Sequence, residues 1–576
     1  MSSSARTSHK PRKRRGITYN GSVVEANGQR KPAFPLAAFL WPAKGLSLWF
    51  VLPSVLLTVA LFRWATGLWT YSGYQAPPMH GDFEAQRHWM ELTIHLPISQ
   101  WYFYDLQWWG LDYPPLTAYH SWLLGKVGSL IEPSWFALDA SRGLDDSLLK
   151  VYMRGTVLLS EYFIYIPAVV VFLRRISRLE SVSSWESSIA LVAILMQPST
   201  LLIDHGHFQY NTVMLGFSLA SLSSMIAGRL RWACVFFVAA LGFKQMALFY
   251  APAIFAYLLG SCISPKINLS RFISIALVTV LSFGLLFAPL LLGAIYDARR
   301  GITIKGATNP PLLSVLPPLN PKAWYFAPIF QLTQSIHRIF PFARGLFEDK
   351  VANVWCALHT FHKLHIYPQV LVQRAALAAT TTAILPPLLI LLHRPRKDLL
   401  PLATATTAWG FFLCAYQVHE KNILLPLLPM TMLLGGKGGL AAPVRTWVGF
   451  ANVLGAWTLF PLLRRDGLAV PYAVLLPLWA WLLGLPPFSL SAYRKSERGH
   501  IGLLTKVVHL DVYSVMVAWH VLEALVPPPE GKPDLWVVVN VLVGAGGFGL
   551  CYLWCLGRLL VQGGYVAGVE EKRKEE

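Results

Sequence analysis

LWFVLPSVLLTVALF, residues 48–62, holds no ionisable side chain, and its reading decides what kind of molecule this is. Extended to about 47–66, it reaches the roughly 20 apolar residues that a helix needs to cross a bilayer. The stretch before it, MSSSARTSHKPRKRRG, is basic and runs into no short cleavable apolar core, so 47–66 is a retained first span. Comparable runs recur at about 152–173, 188–203, 211–227, 231–243, 246–260, 272–293, 372–392, 399–416, 422–436, 446–463, 470–487, 506–526 and 535–556. Composition agrees. Of 576 residues, 55% are hydrophobic and 14% charged, where soluble chains carry roughly 25% charged residues. The expected fold is an all-α polytopic membrane protein with about fourteen transmembrane helices.

A net charge of +20 would suit nucleic acid, but basic loops are how membrane proteins fix their orientation. Membrane lipid is the expected partner, and no nucleic acid is. The six cysteines show neither metal-ligand spacing nor a disulfide framework, and Cys551 and Cys555 read as small packing residues.

With the N-terminus in the cytosol, every second loop is basic: Arg174, Arg175 and Arg178; Arg229 and Arg231; Lys266 and Arg271; HRPRK at 393–397; Lys437 and Arg445; YRKSER at 493–498. Both termini then lie on the cytosolic side. The other loops differ in character. They hold the long segment 67–151, IDHGHFQYN at 203–211, Lys244 of GFKQM, the segment 294–371 with FPFARGLFEDK at 340–350, and YQVHEK at 416–421. Charges at membrane depth cost roughly 2.5–3.5 kcal/mol each on insertion scales, so they persist mainly for function or pairing. One membrane face reads as an active site, the other as anchoring.

HGDFEAQRHWM, residues 80–90, opens that face. Asp82 follows a glycine and precedes a helical pattern, so it reads as an N-cap, a role compatible with a reactive carboxylate because the helix dipole keeps it ionised. Glu84, His88, Glu91 and His95 share one helix face. Four ligands on a single helix rarely close a coordination sphere, so a solvated or headgroup-facing stripe is expected and no metal. In WWGLDYPPLTAYHSW, residues 108–122, the aromatics suit an interface belt and sugar stacking equally, and Asp112 could bind sugar hydroxyls. His205, His207 and His419 share this face with Lys244, Arg344 and Lys421, and Glu420 and Glu348 adjoin them. Several cations around one reactive carboxylate suit chemistry with a phosphate leaving group. No P-loop or dinucleotide fingerprint occurs.

GDFEAQRHWMELT, LPISQWYF, WGLDYPPLTAYHS, LIDHGHFQYN, KQMALFYAP, FPFARGLFEDKVANVWC and YQVHEKNILLPLLP, taken together and in order, resemble the dolichyl-phosphate-glucose-dependent α-1,3-glucosyltransferases of the endoplasmic reticulum. The resemblance runs from about 45 to 435. GDFEAQRHW and GLDYPPLTAYHS are similar to the members that add the first glucose to the nine-mannose lipid-linked oligosaccharide; members adding the second glucose diverge there. The resemblance implies a GT-C fold with surface helices in the first lumenal loop, no cofactor and no metal. It implies dolichyl phosphoglucose as donor and a dolichyl-diphosphate-linked high-mannose acceptor. Asp82 matches the acidic residue that the family uses as general base. Because the donor is β-linked and the product α-linked, the reaction inverts. On this reading 1–44 is a basic cytosolic tail, 45–435 the catalytic membrane module with loop 67–151, 436–562 the C-terminal helices and 563–576 a charged tail.

A lipid-linked sugar transporter or flippase would also carry many spans with charges facing a cavity. It would be expected to show internal repeats, and none is seen. The sequons Asn20-Gly-Ser22 and Asn268-Leu-Ser270 both fall on the cytosolic side of this threading, as does the terminal KRKEE, which resembles a dilysine retrieval signal for the endoplasmic reticulum.

Overall fold

The computed structural model describes residues 22–24, 30–43, 46–304, 308–340, 350–493 and 502–566. Each of the fourteen expected spans coincides with helix. Among the described residues, nine helices are long and apolar enough to cross a membrane, from Trp49–Gly67 to Leu535–Gln562. Asn211–Ile226, Leu230–Phe243 and Ala469–Leu482 are shorter apolar helices, and Leu400–Cys414 is also short. Short helices suffice where protein rather than lipid surrounds them, because neighbouring segments can satisfy the backbone at their ends. Leu400–Cys414 is buried along nearly its whole length.

Burial separates core from rim. The apolar window of Ser184–Phe208 is 94% buried whereas that of Leu269–Arg299 is 6% buried, so the first is the axis of the bundle and the second faces the surroundings. Local sequence fixes the helix starts. Ser183 and Glu186 form a reciprocal capping box, and the Asp146 carboxylate accepts from Leu149 N at 2.6 Å. Within the bundle, Gln197 Nε2 donates to Asn452 Oδ1 (2.7 Å), whose amide donates to Thr431 Oγ1 (2.9 Å), tying three helices through satisfied polar groups.

Two helical turns are wider than α. Glu161–Tyr165 and Leu201–Phe208 are π-helical, a form that recurs at functional sites. The first turns Glu161 inward, where it binds Arg63 of the first span (2.8 and 2.7 Å) and His205 (2.5 Å); Arg63 and Glu161 are fully buried. A buried charge must be paired to persist, and this trio pairs itself.

Segment 67–151 forms a cap over one end of the bundle. Helices Asp82–His95 and Pro115–Ile131 pack on each other with a second, smaller core that includes Trp89, Leu92, Trp101, Tyr102 and Leu111. The later loop joins this cap through Phe326–Ile339: Gln334 Nε2 donates to Tyr102 O (2.9 Å), and Arg338 to Gly110 O (2.9 Å) and Leu111 O (3.3 Å).

Residues 22–24 and 30–43 of the N-terminal segment are among those described. A two-stranded antiparallel pair, Ser22–Val24 with Arg30–Pro32, leads into the short Pro35–Phe39 helix, where Leu36 and Ala37 are buried. The Arg445 guanidinium lies 4.2 Å over the Phe34 ring and fastens this segment to the bundle.

Candidate active site

Between cap and bundle lies a cavity of about 530 Å³, lined by Asp82, Gln86, Trp89, Trp109, Asp112, Tyr113, His207, Gln209, Lys244, Gln245, His419, Glu420, Lys421 and Arg465, among others. Asp82 is its centre. The expected N-cap role falls instead to Gly81, and Asp82 is the first helical residue. Gly81 has φ +139°, and a Cβ there would sit 2.8 Å from the Ser72 and Gly73 backbone, so only glycine lets the chain enter the helix this way. Ser72 completes the entry: its Oγ accepts from Asp82 N (3.2 Å), and its own N donates to His207 O (2.9 Å).

Freed from capping, the Asp82 carboxylate points into the cavity. Three donors converge on one of its oxygens: His207 Nε2 at 2.8 Å, Gln209 Nε2 at 2.5 Å, and the Lys421 ammonium, all on Oδ2. Among the described residues no hydrogen-bond donor reaches Oδ1, and the side chain is 20% exposed. Burial would raise the carboxyl, but the Lys421 charge and the His207 hydrogen bond more than reverse that and hold it well below the usual carboxylate range. The result is an ionised carboxylate with one oxygen clamped and the other open.

Lys244 lies beside this group, its Nζ donating to Asn211 Oδ1 (2.7 Å) and Gln209 Oε1 (3.1 Å) and resting 4.7 Å over the Tyr113 ring. Burial and the nearby Lys421 charge lower its ammonium below the usual lysine value. The aromatic wall is rigid: Trp89 Nε1 donates to Trp109 O (2.8 Å), Trp89 and Tyr113 pack at 4.8 Å, and Tyr102 OH donates to Tyr113 O (2.7 Å).

Of the residues expected from the sequence, Asp82, Asp112, His207, Lys244, His419, Glu420 and Lys421 line one cavity. His205 does not. Its ring is turned away by the π turn and bound to Glu161, so it belongs to the buried trio. Arg344 and Glu348 lie outside the described residues.

The Glu84/His88/Glu91/His95 stripe requires a correction. Glu84, His88 and Glu91 are buried, not solvated, because segment 133–146 folds over them. Arg87 holds both acids, reaching Glu84 at 2.8 and 2.6 Å and Glu91 at 2.6 Å. His95 Nε2 instead meets Phe136 O at 2.8 Å.

Two cavity neighbours escaped the sequence reading. The turn between Phe460–Arg465 and Ala469–Leu482 brings Arg465 to the cavity wall and Asp466 to His207 Nδ1 at 2.5 Å. A signal was present: the pair Arg464-Arg465 falls on the far side of the threading, where the positive-inside rule disfavours arginine.

A helical polytopic bundle with a polar, capped cavity at one end and a clamped carboxylate within it suits a membrane-embedded transferase, and comparison identifies that class. The ALG6, ALG8 glycosyltransferase family profile matches residues 54–300 and 318–556, and the chain belongs to that family. It is 42% identical over 510 residues to a Schizosaccharomyces pombe protein named "Probable dolichyl pyrophosphate Man9GlcNAc2 alpha-1,3-glucosyltransferase", covering 88% of this chain and 91% of that one. The Saccharomyces cerevisiae dolichyl pyrophosphate Man9GlcNAc2 alpha-1,3-glucosyltransferase is 41% identical over 555 residues, covering 92% and 95%. The Gallus gallus protein of the same name is 35% identical, covering 85% and 92%. The chain is thus a multi-pass membrane glycosyltransferase.

Proposed function

We propose that the protein transfers glucose from dolichyl phosphoglucose to the mannose end of a dolichyl-diphosphate-linked Man9GlcNAc2 oligosaccharide, forming an α-1,3 bond, in the endoplasmic reticulum lumen. The observation that carries this reading is the Asp82 carboxylate, clamped at Oδ2 and open at Oδ1 in a cavity bordered by Lys421, Lys244 and Arg465. The relatives' names supply the acceptor and the linkage. The β-linked donor implies inversion.

In the step proposed, Oδ1 of Asp82 takes the proton of the acceptor hydroxyl as its oxygen attacks the glucose C1. The bond from C1 to the phosphate oxygen breaks, and dolichyl phosphate leaves with the electron pair. Cations on the cavity wall oppose the growing phosphate charge. Trp109, Asp112, Tyr113 and Glu420 stand on the wall that the sugars would meet. Residues 45–435 with the turn at 463–468 make up the catalytic module.

Purified protein should transfer glucose from synthetic lipid phosphoglucose to the unglucosylated acceptor and not to the monoglucosylated one. Preference for the latter would make it the second-glucose enzyme, and absence of transfer to either would sink the reading.

Lys421→Ala should lower kcat/KM for the donor by roughly 10–100-fold, since a hydrogen bond to a charged group contributes about 1.5–3 kcal/mol. Lys421 contacts Asp82 itself, so kcat falls too. Arg465→Gln, which leaves Asp82 untouched, should raise donor KM up to about tenfold with kcat preserved. A raised acceptor KM with an unchanged donor KM would contradict both assignments.

Orientation has its own test. Helix Gln245–Ile263 leads from Lys244 at the cavity toward Asn268, which is exposed and caps Leu269–Arg299 by accepting from Arg271 N at 2.8 Å. Asn268 therefore lies at the end of the bundle remote from the cavity and should stay unglycosylated. A mobility shift on endoglycosidase treatment that disappears in Asn268→Gln would overturn the threading.

A further inference from the structure

We infer that Asp466 is a positioning residue that keeps the His207 ring doubly protonated, so that the ring donates to Asp82 and fixes which carboxylate oxygen faces the substrate. The inference rests on Asp82 being the base. Both ring nitrogens of His207 meet carboxylate oxygens: Nδ1 stands 2.5 Å from Asp466 Oδ2 and Nε2 2.8 Å from Asp82 Oδ2. A neutral imidazole has one N–H and one lone pair, whereas two ionised carboxylates each require a donor. The ring fits between them only with both nitrogens protonated.

The surroundings hold Asp466 for this task. It is 8% exposed, its backbone carbonyl accepts from the Thr70 hydroxyl, and its N donates to Leu462 O (3.2 Å). Gly467, at φ +73°, makes the turn that follows; a Cβ there would meet Thr70 Oγ1 at 2.7 Å. Arg465, His419 and Glu420 line the same cavity as His207. Lys421 Nζ lies 3.3 Å from Nε2 and itself binds Asp82. Arg154 donates to Gly206 O (2.8 Å) and Thr70 O (3.1 Å). Arg63, Glu161 and His205 satisfy one another. Asp204 accepts from Asn211 (2.8 Å) and from Thr212 N (2.7 Å), and Lys244 donates to Gln209 and Asn211. Asp466, Asp82, the ring and Lys421 form a set of two negative and two positive charges.

Were the ring neutral with its proton on Nδ1, the Nε2 lone pair would face the lone pairs of Asp82 Oδ2. That contact is repulsive, and the carboxylate would turn away from the orientation that leaves Oδ1 to the acceptor hydroxyl. A negative neighbour favours the charged ring, and its removal lets the second proton go more readily. The ring is doubly protonated at low pH and loses that proton as pH rises.

Asp466→Asn keeps an acceptor for Nδ1–H but removes the charge. Its kcat should fall about 10–100-fold at pH 7.5, recover toward wild type near pH 5.5, and leave KM for both substrates within a few-fold. Asp466→Glu should restore activity without the acid dependence. His207→Gln, whose amide donates at any pH, should keep partial activity, and adding Asp466→Asn to it should produce no acid rescue. If Asp466→Asn fails to fold, His207→Gln on the native Asp466 decides the matter: its activity relative to wild type should not change between pH 5.5 and 7.5, and a His207→Ala variant as active as His207→Gln would overturn the inference. A wild-type profile in Asp466→Asn, or a loss equal at all pH values, would overturn the inference. Asp82→Asn run alongside separates the two ideas. If it is inert while Asp466→Asn is pH-independent, only the positioning role fails; if it stays active, the base assignment itself fails.

Discussion

Asp82→Asn should abolish nearly all transfer, by roughly 10²–10⁴-fold in kcat, the range typical for losing a general base. The substitution is nearly isosteric, and its amide oxygen can still receive Gln209 and Lys421 at the place of Oδ2. What is lost is the ionised oxygen at Oδ1. Donor KM should change little, because the cations on the wall remain. Asp82→Glu should also fail, since one more methylene moves the carboxylate off three donors that come from two separate segments. Substantial activity in well-folded Asp82→Asn would move the base elsewhere, with Asp112 the next carboxylate on the same wall.

Arg87→Ala should destabilise the cap by about 3–5 kcal/mol, the usual cost of breaking a buried ion pair by removing one partner. Arg87 is fully buried, and besides Glu84 and Glu91 it donates to Ser141 Oγ (2.5 Å) and Trp135 O (3.2 Å). Without it, two buried acids lose their counter-charge and segment 133–146 loses its anchor. The check is a lowered midpoint of thermal inactivation together with early proteolysis within 133–146. A variant as stable and as protease-resistant as wild type would contradict the assignment. Acid should mimic the variant. Burial pushes the Glu91 carboxyl up, but the neighbouring His88 side chain and the Arg87 charge outweigh burial and hold it at about 2 against an ordinary 4.5. A depressed carboxylate stabilises fully above its unfolded value. That contribution therefore fades as pH falls from about 4.5 toward 2.

Much of this was legible in the sequence because membranes simplify the problem. Apolar length and the alternation of basic loops locate helices and faces without knowledge of packing, and Asp82, His207, Lys244 and Lys421 were found through that sidedness. What stayed hidden is what depends on contacts between distant segments. Glu84, His88 and Glu91 read as solvated because a periodic pattern cannot show that 133–146 covers them, whereas His95 is exposed as expected. His205 and His207 read as one pair because neither residue reveals a π turn that sends one ring to Glu161 and the other to Asp82. Asp466 sits in a short turn that the misplaced pair Arg464-Arg465 marks as unusual, but only the fold places it against a histidine 259 positions earlier.

The three donors on Asp82 Oδ2 also set a timetable. The carboxylate is made early in the chain, and Lys421 follows 339 positions later. At roughly 5–20 residues per second of synthesis, tens of seconds pass in which the nascent chain carries the carboxylate without its last clamp. If Asp82 is the base proposed, a partly made or partly folded chain holds it without aiming it, and competence for transfer arrives only when the late helices dock.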